Sequence, residues 1–180
     1  MASKEIFSLI AIGNPIVDIT AQIPKETVEK YKLAWGATVF ANDENIGIFN
    51  ELEKSDKVSY SPGGSVQNSL RVCSWALQMG KIPKERRKLT MLGTTGDDKY
   101  RQIIIDSLND IEVKALFNVV KDLSTSRCAV GVYQKERSLV PHIQASNLLT
   151  QEFVNKNMVE IMSHDAILIE GYFLVEQFEI

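Results

Sequence analysis

Ser61-Pro62-Gly63-Gly64-Ser65-Val66-Gln67-Asn68-Ser69 is the stretch on which the reading of this chain turns. The short β-favouring run Lys57-Val58-Ser59-Tyr60 leads into it. A helical pattern leads out of it, with Leu70, Val72, Cys73, Ala76, Leu77 and Met79 supplying an apolar face. A strand, a glycine pair and a helix start form the layout of a binding turn. Glycines let a ligand approach the backbone, and the free N–H groups of a first helical turn favour electronegative ligand atoms. Ser65 and Asn68 stand one turn apart and can point at the same spot. The same residues also suit a plain tight turn with a helix cap, and taken alone the stretch leaves both readings open.

A second segment adds to the first. Phe7-Ser8-Leu9-Ile10-Ala11-Ile12 reads as a buried N-terminal strand that exits through Gly13-Asn14-Pro15-Ile16-Val17-Asp18. Pro15 holds Asn14 extended. Asp18 near a strand end is either a turn former or a ligand-facing carboxylate. A Gly-Asn-Pro exit followed by Asp, with a Gly-Gly-Ser-x-x-Asn loop further on, is more specific as a pair than either motif is alone.

Alternating strand and helix signals argue for an α/β fold with a mainly parallel sheet. The strand expectations are 7–12, 58–60, 88–92, 114–119 and 166–169. The helix expectations are 43–53, 65–79, 97–107, with Asp97 as N-cap, and 150–162. Two regions do not fit a plain doubly wound sheet. Residues 16–23 and 38–41 read as extra short strands around a helix at 25–31. Residues 127–133 and 138–143 alternate around Gln134-Lys135-Glu136, a hairpin signal.

One domain is expected for 180 residues, and 44% hydrophobic content supports a core. A net charge of −3 without a basic patch gives no reason to expect nucleic acid. The densest basic run, Lys84-Glu85-Arg86-Arg87-Lys88, reads as a solvated loop. There is no 18-residue apolar run and no signal-peptide pattern, so no membrane association is expected. Two distant cysteines, Cys73 and Cys128, fit a reducing compartment, with cytoplasm as the default. His142 and His164 have no Cys or His near them in sequence, so no metal site is expected.

Taken together, Gly13-Asn14-Pro15 with Asp18, Gly63-Gly64-Ser65-Val66-Gln67-Asn68-Ser69, Gly93-x-x-Gly96-x-Asp98-Lys99, Arg137-Ser138-Leu139 and Gly171-Tyr172-Phe173-Leu174 resemble the adenosine kinases of the ribokinase-like (PfkB) carbohydrate kinase family. The resemblance runs the whole chain, in the family's order. It implies a ribokinase-like fold, a mainly parallel sheet with flanking helices and a small β lid built from about 16–41 and 125–143. It implies ATP-dependent phosphorylation of adenosine at the 5′-hydroxyl to give AMP, a purine-salvage reaction, with Mg²⁺ bridging the phosphates. By the resemblance, Asp18 accepts from the vicinal ribose hydroxyls. Gly64 and Asn68 help hold them, Asn14 and Ser65 approach base or ribose, and Gly63 belongs to the same substrate-binding set. Phe40, Leu139, Ile143 and Tyr172 would line the adenine slot, with Cys128 beside it. For Leu139 and Ile143 simple hairpin packing is the alternative, and for Cys128 an inert buried thiol. Arg137 matches an arginine that reaches toward the transferred phosphate, although beside Lys135 and Glu136 it also reads as an ordinary charged turn residue.

The family's chains are about twice as long, so the likeness is to an N-terminal half. The catalytic Gly-Ala-Gly-Asp-type loop belongs to the other half, and no Gly-x-Gly-Asp occurs here. The expectation is therefore a nucleoside-binding half without a catalytic base or ATP site of its own. The alternative is a catalytically dead half-length relative in a larger assembly, with a protein partner covering an exposed sheet edge. Departures from the family pattern are Thr125-Ser126-Arg127 in the hairpin strand, Pro141, Thr38, and Glu170 where an apolar or small residue is usual.

Overall fold

The computed structural model describes residues 6–177. Eight strands and seven α-helices follow one another along them. In chain order these are β1 (Phe7–Ile12), β2 (Ile16–Gln22), α1 (Lys25–Lys30), α2 (Ile48–Glu53), β3 (Ser59–Gly63), α3 (Ser65–Met79), β4 (Arg87–Gly96) and α4 (Lys99–Asp110). There follow β5 (Val113–Val120), β6 (Ser126–Tyr133), β7 (Glu136–His142), α5 (Gln151–Lys156), α6 (Met158–Met162), β8 (Ala166–Ile169) and α7 (Gly171–Glu176).

The strands form two sheets, ordered β5-β4-β1-β8 and β3-β2-β6-β7. Every pairing in the first is parallel. Strand alternation splits its side chains between two layers. Leu9, Ala11, Leu89 and Met91 face the core shared with Leu70, Ile104 and Leu108 of α3 and α4. Ile10 and Leu92 face the opposite core with Leu149, Ile161 and Phe173. Both faces of the sheet are thus covered by helices, which is why β1 reads as a nearly continuous apolar run. In the second sheet β2 pairs antiparallel with β3 and parallel with β6, and β6 pairs antiparallel with β7. Its inner face, Val17, Ile19, Ala21, Ala129 and Val140, joins the first core.

Several local expectations shift. β3 belongs to the second sheet, not to the parallel series. Residues 38–41 lie along β7 as an extended segment. Val39 donates to the Leu139 carbonyl and Ala41 to that of Pro141, both at 2.9 Å, but the segment makes only one isolated bridge, Thr38 with Leu139. The helix expected from residue 43 begins at Ile48, because Asn42 and Asn45 bond the preceding backbone into turns. The helix expected over 150–162 breaks at Asn157, whose side chain donates to the Phe153 carbonyl at 2.8 Å. Asp98, not Asp97, caps α4, accepting from the N–H groups of Tyr100 and Arg101 at 3.1 Å. β4 runs on to Gly96 because its glycines sit in crowded backbone. A Cβ at Gly93 would lie 2.6 Å from the Gly13 carbonyl oxygen.

Candidate functional site

β1 is the point at which the parallel sheet reverses its direction of growth. From β1 the chain steps outward to β4 and β5, then returns past them to place β8 on the other side of β1. In open α/β sheets the crevice beyond the carboxyl ends of such strands is where ligands bind. Two residues leave the sheet there, Asn14 after β1 and Glu170 after β8. Glu170 donates its backbone N–H to the Ile12 carbonyl at 3.0 Å, and its Oε2 accepts from the Asn14 N–H at 3.0 Å. Only a glycine at 13 leaves space for this. A Cβ there would stand 2.6 Å from that same Oε2.

The second sheet supplies an adjoining wall. Asp18 pairs with Ser61 and Cys128, Ile16 with Gly63, Cys128 with Pro141, Val130 with Leu139 and Val132 with Arg137. Because pleating alternates faces, Ile16, Asp18, Gly63, Cys128, Leu139 and Arg137 share the face turned away from the inner core. The Asp18 carboxylate lies over Gly63, in the space that a side chain at 63 would fill. Burial pushes the Asp18 carboxyl up to about 6, opposed by the nearby Arg137 guanidinium. The Cys128 thiol rises to about 12 through burial and the charge of Asp18. It is inert as a nucleophile at neutral pH.

Gly64 links this wall to α3 with φ +82°, a conformation that favours glycine. No side chain of its N-cap satisfies the first helical N–H groups. Buried Gln67 fixes the turn instead, donating to the carbonyls of Gly63 and of Ile16, the latter at 2.8 Å. Ser65 and Asn68 on the same first turn are exposed.

Between the two sheets lies a cavity of about 590 Å³. Four of the residues singled out from the sequence line it: Asn14, Phe40, Ile143 and Tyr172. Asp18, Gly63, Gly64, Ser65, Asn68, Cys128, Leu139 and Arg137 are not among its lining residues. They belong to β2, β3, β6, β7 and the start of α3, beside it. Lining residues not anticipated as site residues include Ile16, Ala41, His142, Asn147 and Glu170. The signal available for Glu170 was an acid at the end of an apolar strand, a position that is costly unless it faces a site. Pro141 and Thr38, two of the departures from the family pattern, also line the cavity.

The lining is apolar with a cluster of polar atoms. Asn14, 4% exposed, keeps its side-chain oxygen buried without a hydrogen-bond partner, and so does Asn147. His142 is held below the usual imidazole range by burial and by the Arg127 charge, which favours its neutral form. Among the described residues no Lys or Arg lines the cavity, and no group of three or more His, Cys, Asp and Glu is placed to hold a metal ion.

The comparisons agree with this architecture. Residues 27–179 match the family model described as pfkB family carbohydrate kinase. The adenosine kinase of Dictyostelium discoideum is 31% identical over 168 residues, which are 92% of this chain and 47% of that protein. The crystal structure of Anopheles gambiae adenosine kinase in complex with P1,P4-di(adenosine-5) tetraphosphate superposes with a TM-score of 0.84 at 29% identity, over 96% of this chain and 50% of that one. Apo adenosine kinase of Trypanosoma brucei brucei gives 0.86 at 26% identity, over 96% and 52%. The chain spans about half the length of the relatives it matches. With the family model matched over residues 27–179, most of its length, this chain belongs to the pfkB family of carbohydrate kinases.

Proposed function

We propose that this chain is the nucleoside-binding half of an adenosine kinase. The observation that carries the reading is the Asp18 carboxylate seated over Gly63, beside the uncapped start of α3 and the apolar cavity. Asp18 accepts from the two vicinal hydroxyls of a ribose, and Gly64 and Asn68 hold the same hydroxyls. Asn14 and Ser65 contact base or ribose. Phe40, Ile143, Tyr172 and Leu139 form the slot for the purine, whose stacking and apolar burial supply most of the affinity.

In the complete reaction the γ-phosphoryl group of ATP passes to the 5′-hydroxyl, giving AMP and ADP. ATP brings Mg²⁺ on its phosphates, and together they supply the phosphoryl group and neutralise its charge. The residues of this chain bind and orient the nucleoside. The second sheet acts as a lid that excludes water as a competing acceptor, and Arg137 reaches toward the transferred group. A Gly-x-Gly-Asp base is absent from these 180 residues, so the chain by itself binds adenosine without turning it over. The cytoplasm is the proposed compartment, in keeping with free cysteines.

Calorimetric titration with adenosine tests the reading. Saturable binding that Asp18→Asn weakens at least tenfold supports it, as expected for loss of hydrogen bonds to a charged acceptor. Binding unaffected by Asp18→Asn, or none, rejects it.

A second reading rests on a separate observation. All four β8 residues are exposed at the sheet edge, and α3 turns Val72, Trp75 and Met79 outward at 61–66% exposure. Unpaired edges and apolar faces seek partners. The chain then serves as an interaction subunit whose protein partner covers that edge, with the pocket retained as a binding site.

A further inference from the structure

We infer that Glu170 is a specificity-determining residue of the cavity, reading a hydrogen-bond donor, an amino group, on the heterocycle of the ligand. The inference rests on the nucleoside-site reading above and adds to it the edge of the base that is recognised.

Glu170 lines the cavity. Its only side-chain hydrogen bond among the described residues is the one that Oε2 accepts from the Asn14 N–H at 3.0 Å, and it forms no ion pair among them. A carboxylate has about four acceptor positions, so most of its capacity is unspent. The side-chain oxygens of Asn14 and Asn147, two other lining residues, are buried without a partner among the described residues, which leaves Glu170 as the carboxylate on the cavity wall. No lysine or arginine among the described residues lines the cavity to answer it.

A carboxylate with unspent acceptor positions is complementary to a ligand group that donates, and it disfavours one that presents only lone pairs to it. An amine on a purine ring donates two N–H groups. An unsubstituted ring edge offers ring nitrogens, which only accept, and C–H groups, so it gives the carboxylate no N–H to bind. The backbone holds the carboxylate in position. Its Oε2 is fixed on the Asn14 N–H, and glycine at 13 keeps the space open.

The test compares three ribosides on the 180-residue chain by calorimetry: unsubstituted purine riboside, adenosine with its 6-amine, and 2-aminopurine riboside. In the native chain at least one amine raises affinity about tenfold to a hundredfold over purine riboside, the range for a hydrogen bond to a charged group. The amine that does so identifies the ring edge facing Glu170. Glu170→Ala removes that gain, so that within this variant the aminated ribosides bind no more tightly than purine riboside. Glu170→Gln keeps an acceptor for the Asn14 N–H while removing the charge, and serves where the alanine variant fails to fold; it must shrink the gain. If all three ribosides bind equally, or the gain survives in both variants, Glu170 does not read the base although the nucleoside site stands. If none binds the native chain, the nucleoside site itself fails and this inference with it.

Discussion

The carboxylate of Asp18 and the backbone of Gly63 occupy one another's space: a side chain at 63 would collide with all three atoms of the carboxyl group. They are not direct cross-strand partners, since Asp18 pairs with Ser61 and Gly63 with Ile16. The carboxyl therefore leans along the ladder toward the start of α3, where the Gly63-Gly64 turn would offer bare backbone to the proposed nucleoside.

Gly63→Ala consequently displaces the Asp18 carboxylate. Forcing a methyl into filled space costs about 1–3 kcal/mol, and the displaced carboxylate loses its alignment. The expected outcome is a lowered midpoint in thermal unfolding together with adenosine binding weakened as far as in Asp18→Asn. Retained affinity in Gly63→Ala would show that the placement of Asp18 is immaterial.

The Asp18 carboxyl titrates near 6 against an ordinary value of 3.8. An acid with a raised folded-state value binds more protons folded than unfolded between these two pH values. Stability therefore falls as pH rises from about 4 to about 6, and the penalty is complete above 6. Two units correspond to about 3 kcal/mol, reduced to about 1–2 kcal/mol for a half-buried group. Asp18→Asn, which carries no charge, should be more stable than the native chain at pH 7 and equal to it near pH 4, as read by urea unfolding. Adenosine binding has the opposite dependence. If the ionised carboxylate accepts the ribose hydroxyls, affinity drops roughly tenfold from pH 7 to pH 5, and the drop is absent in Asp18→Asn.

Which of two adjacent aspartates caps α4 is a matter of tertiary structure. Asp98 accepts from the N–H groups of Tyr100 and Arg101, and also from the Thr125 N–H and hydroxyl at 2.8 Å. Asp97 makes only an exposed pair with Arg101. Asp98→Ala loses the cap, about 0.5–2 kcal/mol, plus the acceptor for a buried Thr125, about 1–3 kcal/mol more. Asp97→Ala stays within about 0.5 kcal/mol. Chemical unfolding of the two variants separates them. Equal losses would overturn the assignment.

That pair also shows how far the sequence could be read. Both aspartates are good caps by residue type, and only Thr125, 27 positions away, chooses between them. Where local chemistry decides, reading and structure coincide: β1 over 7–12, and α3 over 65–79 between Gly64 and Gly80. Where long-range pairing decides, they part. Residues 59–63 join the second sheet because β2 turns back beside them, and residues 38–41 follow β7 without becoming a strand. In the site, Asn14, Phe40, Ile143 and Tyr172 are legible through motif resemblance. Ile16, His142 and Asn147 reach the cavity through sheet register and loop closure, which no short motif encodes.

The apolar surface left on α3 and β8 gives the last prediction. Register places Leu168 beside Ala11 and Ile167 beside Ile10, so these side chains continue the two core layers of the sheet outward into solvent. Leu168 is 37% and Ile167 49% exposed, next to β1 residues that are fully buried. Such layers, open at their rim, bind anilinonaphthalene sulfonate, a probe of accessible apolar surface. Trp75→Lys with Leu168→Lys breaks the α3 side of the rim, and Ile167→Lys breaks the opposite side. Each should lower dye fluorescence while leaving adenosine affinity within about twofold, because none of these residues lines the cavity. Dye binding unchanged in both would mean that the rim is already covered in solution. Self-association of the native chain, read by sedimentation, would then identify a second copy as its cover.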